Sequence, residues 1–341
     1  MSAYPLSRFL LVTASTLACV AGLTATANAQ TGPDRAENSP GIVVRDDINL
    51  NTSPPAGAFD NLVNVTGVGQ VATRPNQATT GLGVCSGTLI NPRTVIFAAH
   101  CVNTQAANTY GFASGGTAIS VGFSADNRPG IRRWLGLDGG ARNTTDLATN
   151  IYNVEQVWYD PRSVAKGFLE ADVALATLDT HADGVPTWTM LFSPLTAETH
   201  GIINGYGARG LGANGANLGI DFRRRIAENM ISSLSSLDDR NNFLFGPGNV
   251  GLPQSVYQLD FDSRVGQAAY NTNPALGPVS YDFDLFNGSI LPNEGTTAGG
   301  DSGGPLIADR ALDKPVVVGV LSGGSRFFGP QPFSSYGTSA F

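Results

Sequence analysis

Short β-rich runs separated by turn signals follow one another along this chain, and they restrict it to an all-β architecture. Residues 83–90 and 94–99 are two such runs, joined by the turn sequence Asn-Pro-Arg. Glycine provides 42 of the 341 residues and only 14% of residues are charged, so we expect an antiparallel sandwich or barrel with many loops. The other runs that indicate strands are 62–65, 69–73, 118–123, 151–159, 171–178, 200–207, 256–262 and 315–324, while 223–231 fits a strand or a short helix.

The first 29 residues are predicted to be a signal peptide. Arg8 supplies the positive charge, 9–25 is apolar, and Ala-Asn-Ala at 27–29 is a typical cleavage site. A membrane anchor and a lipoprotein processed at Cys19 are the alternatives, but the segment is short and contains Ser and Thr. No later segment is apolar enough to span a bilayer. We therefore expect an exported protein that is secreted, held at the cell surface or periplasmic, without a membrane span after signal removal.

The mature chain is predicted to begin with a flexible segment at 30–58, which is polar and rich in Pro, Asn, Asp and Thr, before a folded domain at 59–341. A net charge of −7 argues against a nucleic-acid binder, which would present a basic face. Two cysteines remain after signal removal, Cys85 and Cys101. In an oxidising compartment they are expected to form one disulfide, and two free buried thiols are the alternative.

Residues 299–306 read Gly-Gly-Asp-Ser-Gly-Gly-Pro-Leu and form the stretch with the most chemical content. Glycines permit a sharp turn and a close approach of the backbone to a ligand. A serine on such a turn, here Ser302, is exposed beside N–H groups that converge on one point, which is the geometry of a nucleophile next to an oxyanion hole. A surface glycine-rich turn is the alternative.

A serine nucleophile needs a base and an acid that orients the base, and the chain offers one candidate for each. His100 ends the run 94–99 beside Cys101, and Asp172 lies near the start of the run 171–178. Taken singly, the histidine fits a core residue. The aspartate fits equally a cap at a loop–strand junction and a buried partner for a cation or a histidine. Together with Ser302 they supply the proton acceptor, the carboxylate that fixes its tautomer, and the nucleophile.

With these motifs in view, the chain resembles the chymotrypsin/trypsin family of serine proteases. The resemblance rests on Thr-Val-Ile-Phe-Ala-Ala-His-Cys at 94–101, Ala-Asp-Val-Ala-Leu at 171–175 and Gly-Asp-Ser-Gly-Gly-Pro at 300–305. Asn-Gly-Tyr-Gly at 204–207 and Ser-Gly-Gly at 322–324 are similar to two further family motifs, each with its tryptophan replaced. The likeness extends from about residue 59 to residue 341.

The resemblance implies two antiparallel six-stranded β-barrels, chymotrypsin-like, with few helices and the site in the cleft between them. His100 and Asp172 would belong to the first barrel and Ser302 to the second. The backbone N–H groups of Gly300 and Ser302 would form the oxyanion hole. Cys85 matches the family's disulfide partner of Cys101. The activity expected is a serine endopeptidase that acts on a protein or peptide substrate and requires neither a metal nor an organic cofactor.

Substrate preference is expected from the residues that match the family's specificity pocket. Thr296 falls at the pocket base, and Ser322, Gly323 and Gly324 would line the bound substrate. This pocket is neutral, so we predict preference for an uncharged residue before the scissile bond. Glu294, two residues from Thr296, is the acid that could change this prediction.

Several features depart from the family pattern. The spacings from His100 to Asp172 and on to Ser302 exceed those of the family, and the excess lies at 103–150 and 263–295. No Ile-Val-Gly-Gly start is present, and Ile-Val at 42–43 is a weak match. Asp301 could therefore pair with a freed amine, with an internal cation or with backbone N–H groups. The family's C-terminal helix has no counterpart, which fits the protease part of a longer protein, such as the passenger of a bacterial autotransporter.

Two other functions compete with the endopeptidase. One is a non-catalytic binding or adhesion protein that keeps the protease fold, and the other is an esterase that uses the same three residues. Among other polar motifs, the arginines at 223–225 are expected on a solvated face. The acids Asp260 and Asp262, like Asp282 and Asp284, are expected on surface loops rather than in a calcium site, since the spacing of an EF-hand loop is lacking.

Overall fold

The computed structural model describes residues 42–48, 63–74, 81–112, 115–165, 170–236, 238, 239, 242, 247, 248, 251, 255–262, 291–325 and 338–341. Its strands are β1 (Ile42–Val44), β2 (Val68–Arg74), β3 (Gly83–Asn91), β4 (Thr94–Phe97), β5 (Ala118–Gly122), β6 (Ile151–Tyr159), β7 (Ala174–Leu178), β8 (Thr199–Gly205), β9 (Arg209–Leu211), β10 (Arg225–Ile231), β11 (Ser233–Ser236), β12 (Ser255–Leu259), β13 (Gly295–Thr296), β14 (Pro305–Ala308), β15 (Val316–Val320), β16 (Gly323–Ser325) and β17 (Thr338–Ala340). The described helices are short and comprise α1 (Arg128–Trp134), α2 (Arg162–Ala165) and 3₁₀ turns at Val65–Gly67, Ala99–Cys101, Ala107–Thr109 and Leu147–Thr149.

The N-terminal half forms a closed six-stranded barrel. Its strands pair in the order β2, β3, β4, β7, β6 and β5, and β5 returns to β2. Alternate residues of β7, namely Ala174, Ala176 and Leu178, are buried in the barrel core, while the residues between them are less buried. Closure leaves no unpaired strand edge in this half.

The C-terminal half contains a second circuit of six chain segments. β10 continues into β11 after Ser232, and β15 continues into β16 after Leu321 and Ser322. With each of these counted as one bent strand, the antiparallel pairings run from β8 to β10, β11 to β12, β12 to β17, β17 to β16, β15 to β14, and β14 back to β8. The prediction of an all-β chain built from two antiparallel barrels with few helices is confirmed.

An apolar cluster joins the two barrels. Val68 of β2 packs with Ile202 of β8, Ile226 of β10 and Ile307 of β14, and Trp188 of the connecting segment completes the cluster. The alternation of β8 explains this, because Ile203 faces the core of the second barrel while Ile202 faces the first barrel.

The structure corrects one local expectation and refines others. The predicted strand at 62–65 is replaced by the 3₁₀ turn Val65–Gly67, which begins where the Asn64 side chain accepts a hydrogen bond from the N–H of Thr66. The ambiguous stretch 223–231 contains a strand, because β10 pairs with β8 along its whole length. The region 103–150 contains β5 and α1, and Trp134 of α1 packs with Ala72 on the outside of the first barrel. Of the second insertion, 263–290 lie outside the described residues.

Four charged residues expected at the surface are instead buried. Arg224 and Arg225 are 5% and 1% exposed, and Asp260 and Asp262 are 6% and 2% exposed. Arg225 is held by Asp221 through two contacts of 2.5 Å, which compensate its burial. The prediction that the arginines at 223–225 lie on a solvated face is therefore wrong for Arg224 and Arg225. The prediction that Asp260 and Asp262 lie on surface loops is also wrong. Asp282 and Asp284 lie outside the described residues.

The segment 30–58 is not flexible throughout, since Ile42–Val44 forms the buried strand β1. This strand pairs in parallel with β9 and antiparallel with β13, so that Val43 lies opposite both Gly210 and Thr296. Ile42 and Val43 are 0% exposed, and Ile42 packs in the core of the second barrel. The apolar Ile-Val-Val sequence thus contributes core rather than linker. The division into a signal peptide at 1–29, an N-terminal segment at 30–58 and a protease domain at 59–341 otherwise stays a prediction. Residues 1–41 and 49–62 lie outside the described residues.

No helix in the described part of the chain combines the length and hydropathy that crossing a lipid bilayer requires.

The docking of β1 predicts that Ile42→Ala destabilises the protein by about 2–4 kcal/mol, since a fully buried side chain leaves a cavity. Urea denaturation of the oxidised protein measures this change. Phe192→Ala is the control, because Phe192 is 86% exposed and its truncation should change stability by less than about 0.5 kcal/mol. Equal effects of the two substitutions would show that the N-terminal strand is not part of the core.

Candidate active site

His100 is held at the end of β4 in the first barrel. It is the middle residue of the 3₁₀ turn Ala99–Cys101, and a disulfide joins Cys101 to Cys85 of β3, as predicted. The turn is further closed by the N–H of Val102, which donates to the carbonyl of Ala99 at 2.9 Å. The imidazole is 25% exposed, so one edge is held by protein while solvent or a substrate reaches the rest.

Asp172 lies in a tight turn immediately before β7 and reaches His100 with both carboxylate oxygens. Its Oδ2 lies 2.7 Å from Nδ1 of His100, and its Oδ1 accepts the backbone N–H of His100 at 2.7 Å. Ala171 adopts φ of 49°, a left-handed conformation that L residues rarely adopt, and the turn therefore holds Asp172 in place at a cost in strain. Since an ionised carboxylate only accepts hydrogen bonds, Nδ1 carries the proton and Nε2 is left as the acceptor.

Ser322 donates a third hydrogen bond to the same carboxylate. Its Oγ lies 2.5 Å from Oδ2 of Asp172, and both residues are only 6% exposed. Three donors around one buried charge replace the water that burial removes. The structure thus brings His100, Asp172 and Ser322 together, although Ser322 belongs to the second barrel and the other two to the first.

Ser302 lies on the turn before β14, and this turn packs against the turn that carries His100. The Ser302 carbonyl accepts the N–H of Ser86 at 2.7 Å and lies 4.0 Å from Sγ of Cys101. Gly303 has φ of 84°, and a Cβ there would lie 2.3 Å from the carbonyl oxygen of Ser86 and 2.7 Å from the nitrogen of Ala98. Only glycine permits this approach, so the Gly at 303 brings the two barrels into contact beside His100.

The N–H groups of Gly300 and Ser302 face away from the internal hydrogen bonds of the turn. Gly300 has φ of 100°. The carbonyls that precede these two N–H groups are both engaged, Gly299 O by the N–H of Ala208 and Asp301 O by the N–H of Gly304, each at 2.8 Å. Within the described residues neither N–H has a carbonyl or side-chain acceptor. Two fixed donors on peptide planes that are separated by one further plane can receive a developing negative charge.

Asp301 points away from the site and accepts backbone N–H groups. Its Oδ1 accepts the N–H of Gly207 at 2.7 Å and its Oδ2 accepts the N–H of Ala298 at 2.8 Å. Burial raises the pKa of Asp301 to about 6, opposed by these two hydrogen bonds and by the charge of Arg225. Of the three partners considered from sequence, the backbone N–H groups are therefore the ones that hold this carboxylate in the structure.

The residues expected to contact substrate take different positions. Thr296 is 4% exposed within β13, opposite Val43. Glu294 is 1% exposed, and its carboxylate accepts the N–H groups of Asp262 and Leu291. Burial raises the pKa of Glu294 well above its ordinary value. Gly323 and Gly324 form β16, the last strand of its four-stranded sheet.

Ser86 is the residue that sequence reasoning missed. It is 0% exposed in β3, directly after Cys85, and its side chain bridges to the second barrel. A serine inside a strand carries no signal of such a contact, because its partners come from segments far along the chain.

One group of three possible metal ligands occurs among the described residues, formed by Cys85, His100 and Cys101 within 4.8 Å of one another. Thiolate is the form of cysteine that binds a metal, and both sulfurs here are bonded to each other. This group is therefore the support of the histidine turn rather than a metal centre.

A comparison with solved structures finds a mutant of human heparin-binding protein (CAP37), with 15% sequence identity and a TM-score of 0.44, over 81% of this chain and 85% of that chain. No protein-family model and no curated protein matches the sequence. A structural similarity at this TM-score does not assign a function, and the function proposed below is derived from the geometry of the site.

The raised pKa of Asp301 predicts a pH-dependent contribution to stability. The carboxyl group titrates near 4 in the unfolded chain and at about 6 in the folded protein. Its neutral form favours folding, and this contribution, on the order of 3 kcal/mol, is present below pH 4 and is lost as the pH rises through 6. Asp301→Asn does not titrate. The difference in unfolding free energy between wild type and Asp301→Asn should therefore decrease from pH 4.5 to pH 7.5.

Denaturant unfolding at several pH values measures this difference, and comparing the two proteins cancels the titration of Glu294 and other groups. A difference that stays constant over this range would refute the raised pKa.

Proposed function

We propose that this chain is a serine endopeptidase that cleaves peptide bonds through an acyl-enzyme on Ser302. The observation that carries the proposal is the double contact of Asp172 with His100, because it orients the imidazole and makes Nε2 the nitrogen that can accept a proton. The paired free N–H groups of Gly300 and Ser302 support the same chemistry. His100, Asp172 and Ser302 act as base, orienting acid and nucleophile.

In the proposed reaction, Ser302 Oγ attacks the scissile carbonyl carbon while its proton passes to Nε2 of His100. The carbonyl oxygen becomes negative and receives the N–H groups of Gly300 and Ser302. The imidazolium then gives its proton to the amine as the C–N bond breaks, which leaves an ester on Ser302. Water, deprotonated by His100, releases the acid in the same way.

The edge strand β16 favours a peptide over a small ester as the substrate. Among the described strands it is the terminal one of its sheet, and a strand in this position can pair with an extended chain through main-chain hydrogen bonds. This edge begins at Gly323, next to Ser322, which contacts Asp172. A peptide bound along β16 would therefore lie beside the reacting groups.

The burial of Glu294 supports a neutral specificity pocket. Its carboxylate is turned inward onto the N–H groups of Asp262 and Leu291. It is thus engaged away from Thr296, the residue proposed for the pocket base. The disulfide between Cys85 and Cys101 supports the proposal that the protein is exported, since disulfides persist in oxidising compartments.

Ser302→Ala should lower peptide hydrolysis by about 10⁴-fold or more, with an unchanged near-UV circular dichroism spectrum. A fluorophosphonate probe should modify the wild type at Ser302, located by mass spectrometry of its peptides. Ser120→Ala is the matched control, because Ser120 is a buried serine of the first barrel. Hydrolysis retained by Ser302→Ala would exclude Ser302 as the nucleophile. A wild type that neither hydrolyses peptides nor reacts with the probe would exclude the proposal and favour a binding protein with this fold.

A peptide library should be cleaved mainly after uncharged residues, as expected for a pocket with Thr296 at its base. Product sequencing by mass spectrometry gives the residue before each cleaved bond. Cleavage mainly after Arg and Lys would contradict the neutral pocket while leaving the endopeptidase proposal intact. Turnover of esters alone would identify the chain as an esterase.

A further inference from the structure

We propose that the side chain of Ser86 is a positioning residue for the Ser302 turn, an inference that rests on the proposed function. Ser86 lies on β3 of the first barrel, whereas the turn belongs to the second. Its Oγ donates to the carbonyl of Gly300 at 3.1 Å and accepts the N–H of Tyr206 at 3.0 Å. Its own N–H donates to the carbonyl of Ser302 at 2.7 Å. One residue therefore holds two carbonyls of the turn.

The four peptide planes from Gly299 to Ser302 are each fixed through their carbonyl. Gly299 O accepts the N–H of Ala208 and Asp301 O accepts the N–H of Gly304. These two planes also contain the N–H groups of Gly300 and Ser302, the proposed oxyanion donors. Ser86 holds the other two planes, and its Oγ holds the one that lies between the two donors.

The plane between the two donors is held by hydrogen bonds at both of its polar groups. Its N–H, that of Asp301, donates to the carbonyl of Ala298 at 3.0 Å, and its carbonyl, that of Gly300, accepts the hydroxyl of Ser86. Gly300 has φ of 100° and lacks a Cβ, so hydrogen bonds rather than side-chain packing must fix this plane. Rotation of this plane changes the angle between the two N–H groups that must converge on one oxygen. Oxyanion donors act only when they are fixed before the reaction, so the Ser86 contact should affect rate more than substrate binding.

The surroundings of Ser86 are built closely around its hydroxyl. A Cβ at Gly205 would lie 3.0 Å from Oγ of Ser86 and 2.3 Å from Oδ1 of Asp301. The glycine at 205 thus lets β8 approach both side chains at once. Because Ser86 is 0% exposed, water cannot replace the hydroxyl for either Gly300 or Tyr206.

Ser86→Ala tests this role by removing the hydroxyl and keeping the backbone N–H that binds Ser302. The rate constant for acylation by p-nitrophenyl acetate, and that for labelling by a fluorophosphonate, should fall by about 10- to 100-fold. KM for peptide hydrolysis should stay within about two-fold, since the main-chain binding edge is intact. Ser86→Thr keeps the hydroxyl and should recover most of the lost rate.

Ser120→Ala is again the matched control, because Ser120 is 0% exposed in β5 and its hydroxyl has no partner within the described residues. It should leave both rate constants unchanged. Rates are expressed per folded molecule, at a temperature well below each variant's thermal midpoint, so that lower stability alone does not lower them. A rate for Ser86→Ala equal to wild type, or failure of folded Ser86→Thr to recover the rate, overturns the positioning role. A wild type that is inert to both reagents overturns the proposed function itself.

Discussion

The two barrels meet through their backbones beside His100, and the candidate site depends on that contact. The N–H of Ser86 reaches the carbonyl of Ser302, while Gly303 lies against Ser86 and Ala98 without an intervening side chain. His100 follows Ala98 by two residues. The same contact therefore sets the Ser302 turn and the His100 turn relative to each other. Main-chain contacts of this kind vary less than contacts between long side chains, which suits groups that must be placed within a fraction of an ångström.

The sequence predicted the architecture and singled out the candidate site residues because both depend on local patterns. Strands such as β6 and β7 show their alternation or their apolar content directly, and short turn sequences mark their ends. The turn at Ser302 could also be predicted from its own residues, since the glycines at 300 and 303 allow the left-handed backbone that the turn contains. His100 and Asp172 could be paired only through their motifs, as 72 positions separate them.

Buried charges and the N-terminal strand could not be predicted, because their burial depends on segments far away in sequence. Asp301 depends on the N–H of Gly207, 94 positions away. Arg225 is paired locally with Asp221, but β8 buries it by pairing with β10. A charged residue read alone is expected at the surface, and only a completed tertiary structure supplies the donors that permit its burial. Ile42–Val44 was similarly misjudged, since three apolar residues within a polar segment show no period. The contacts of Ser86 could not be predicted from its neighbours in sequence, because its partners Gly300 and Tyr206 belong to the second barrel.

The pairing of β1 has a consequence for the order in which the chain folds. The first barrel uses only strands that follow one another between Val68 and Leu178, so it can close as soon as that part of the chain is available. β1 precedes all of these strands, yet its partners β9 and β13 come after them. Contacts between distant segments form slowly because a long loop must close first. We therefore expect the first barrel to exist as a folded body before β1 docks between β9 and β13. The N-terminal strand of a newly made chain would then be among the later parts to join the fold.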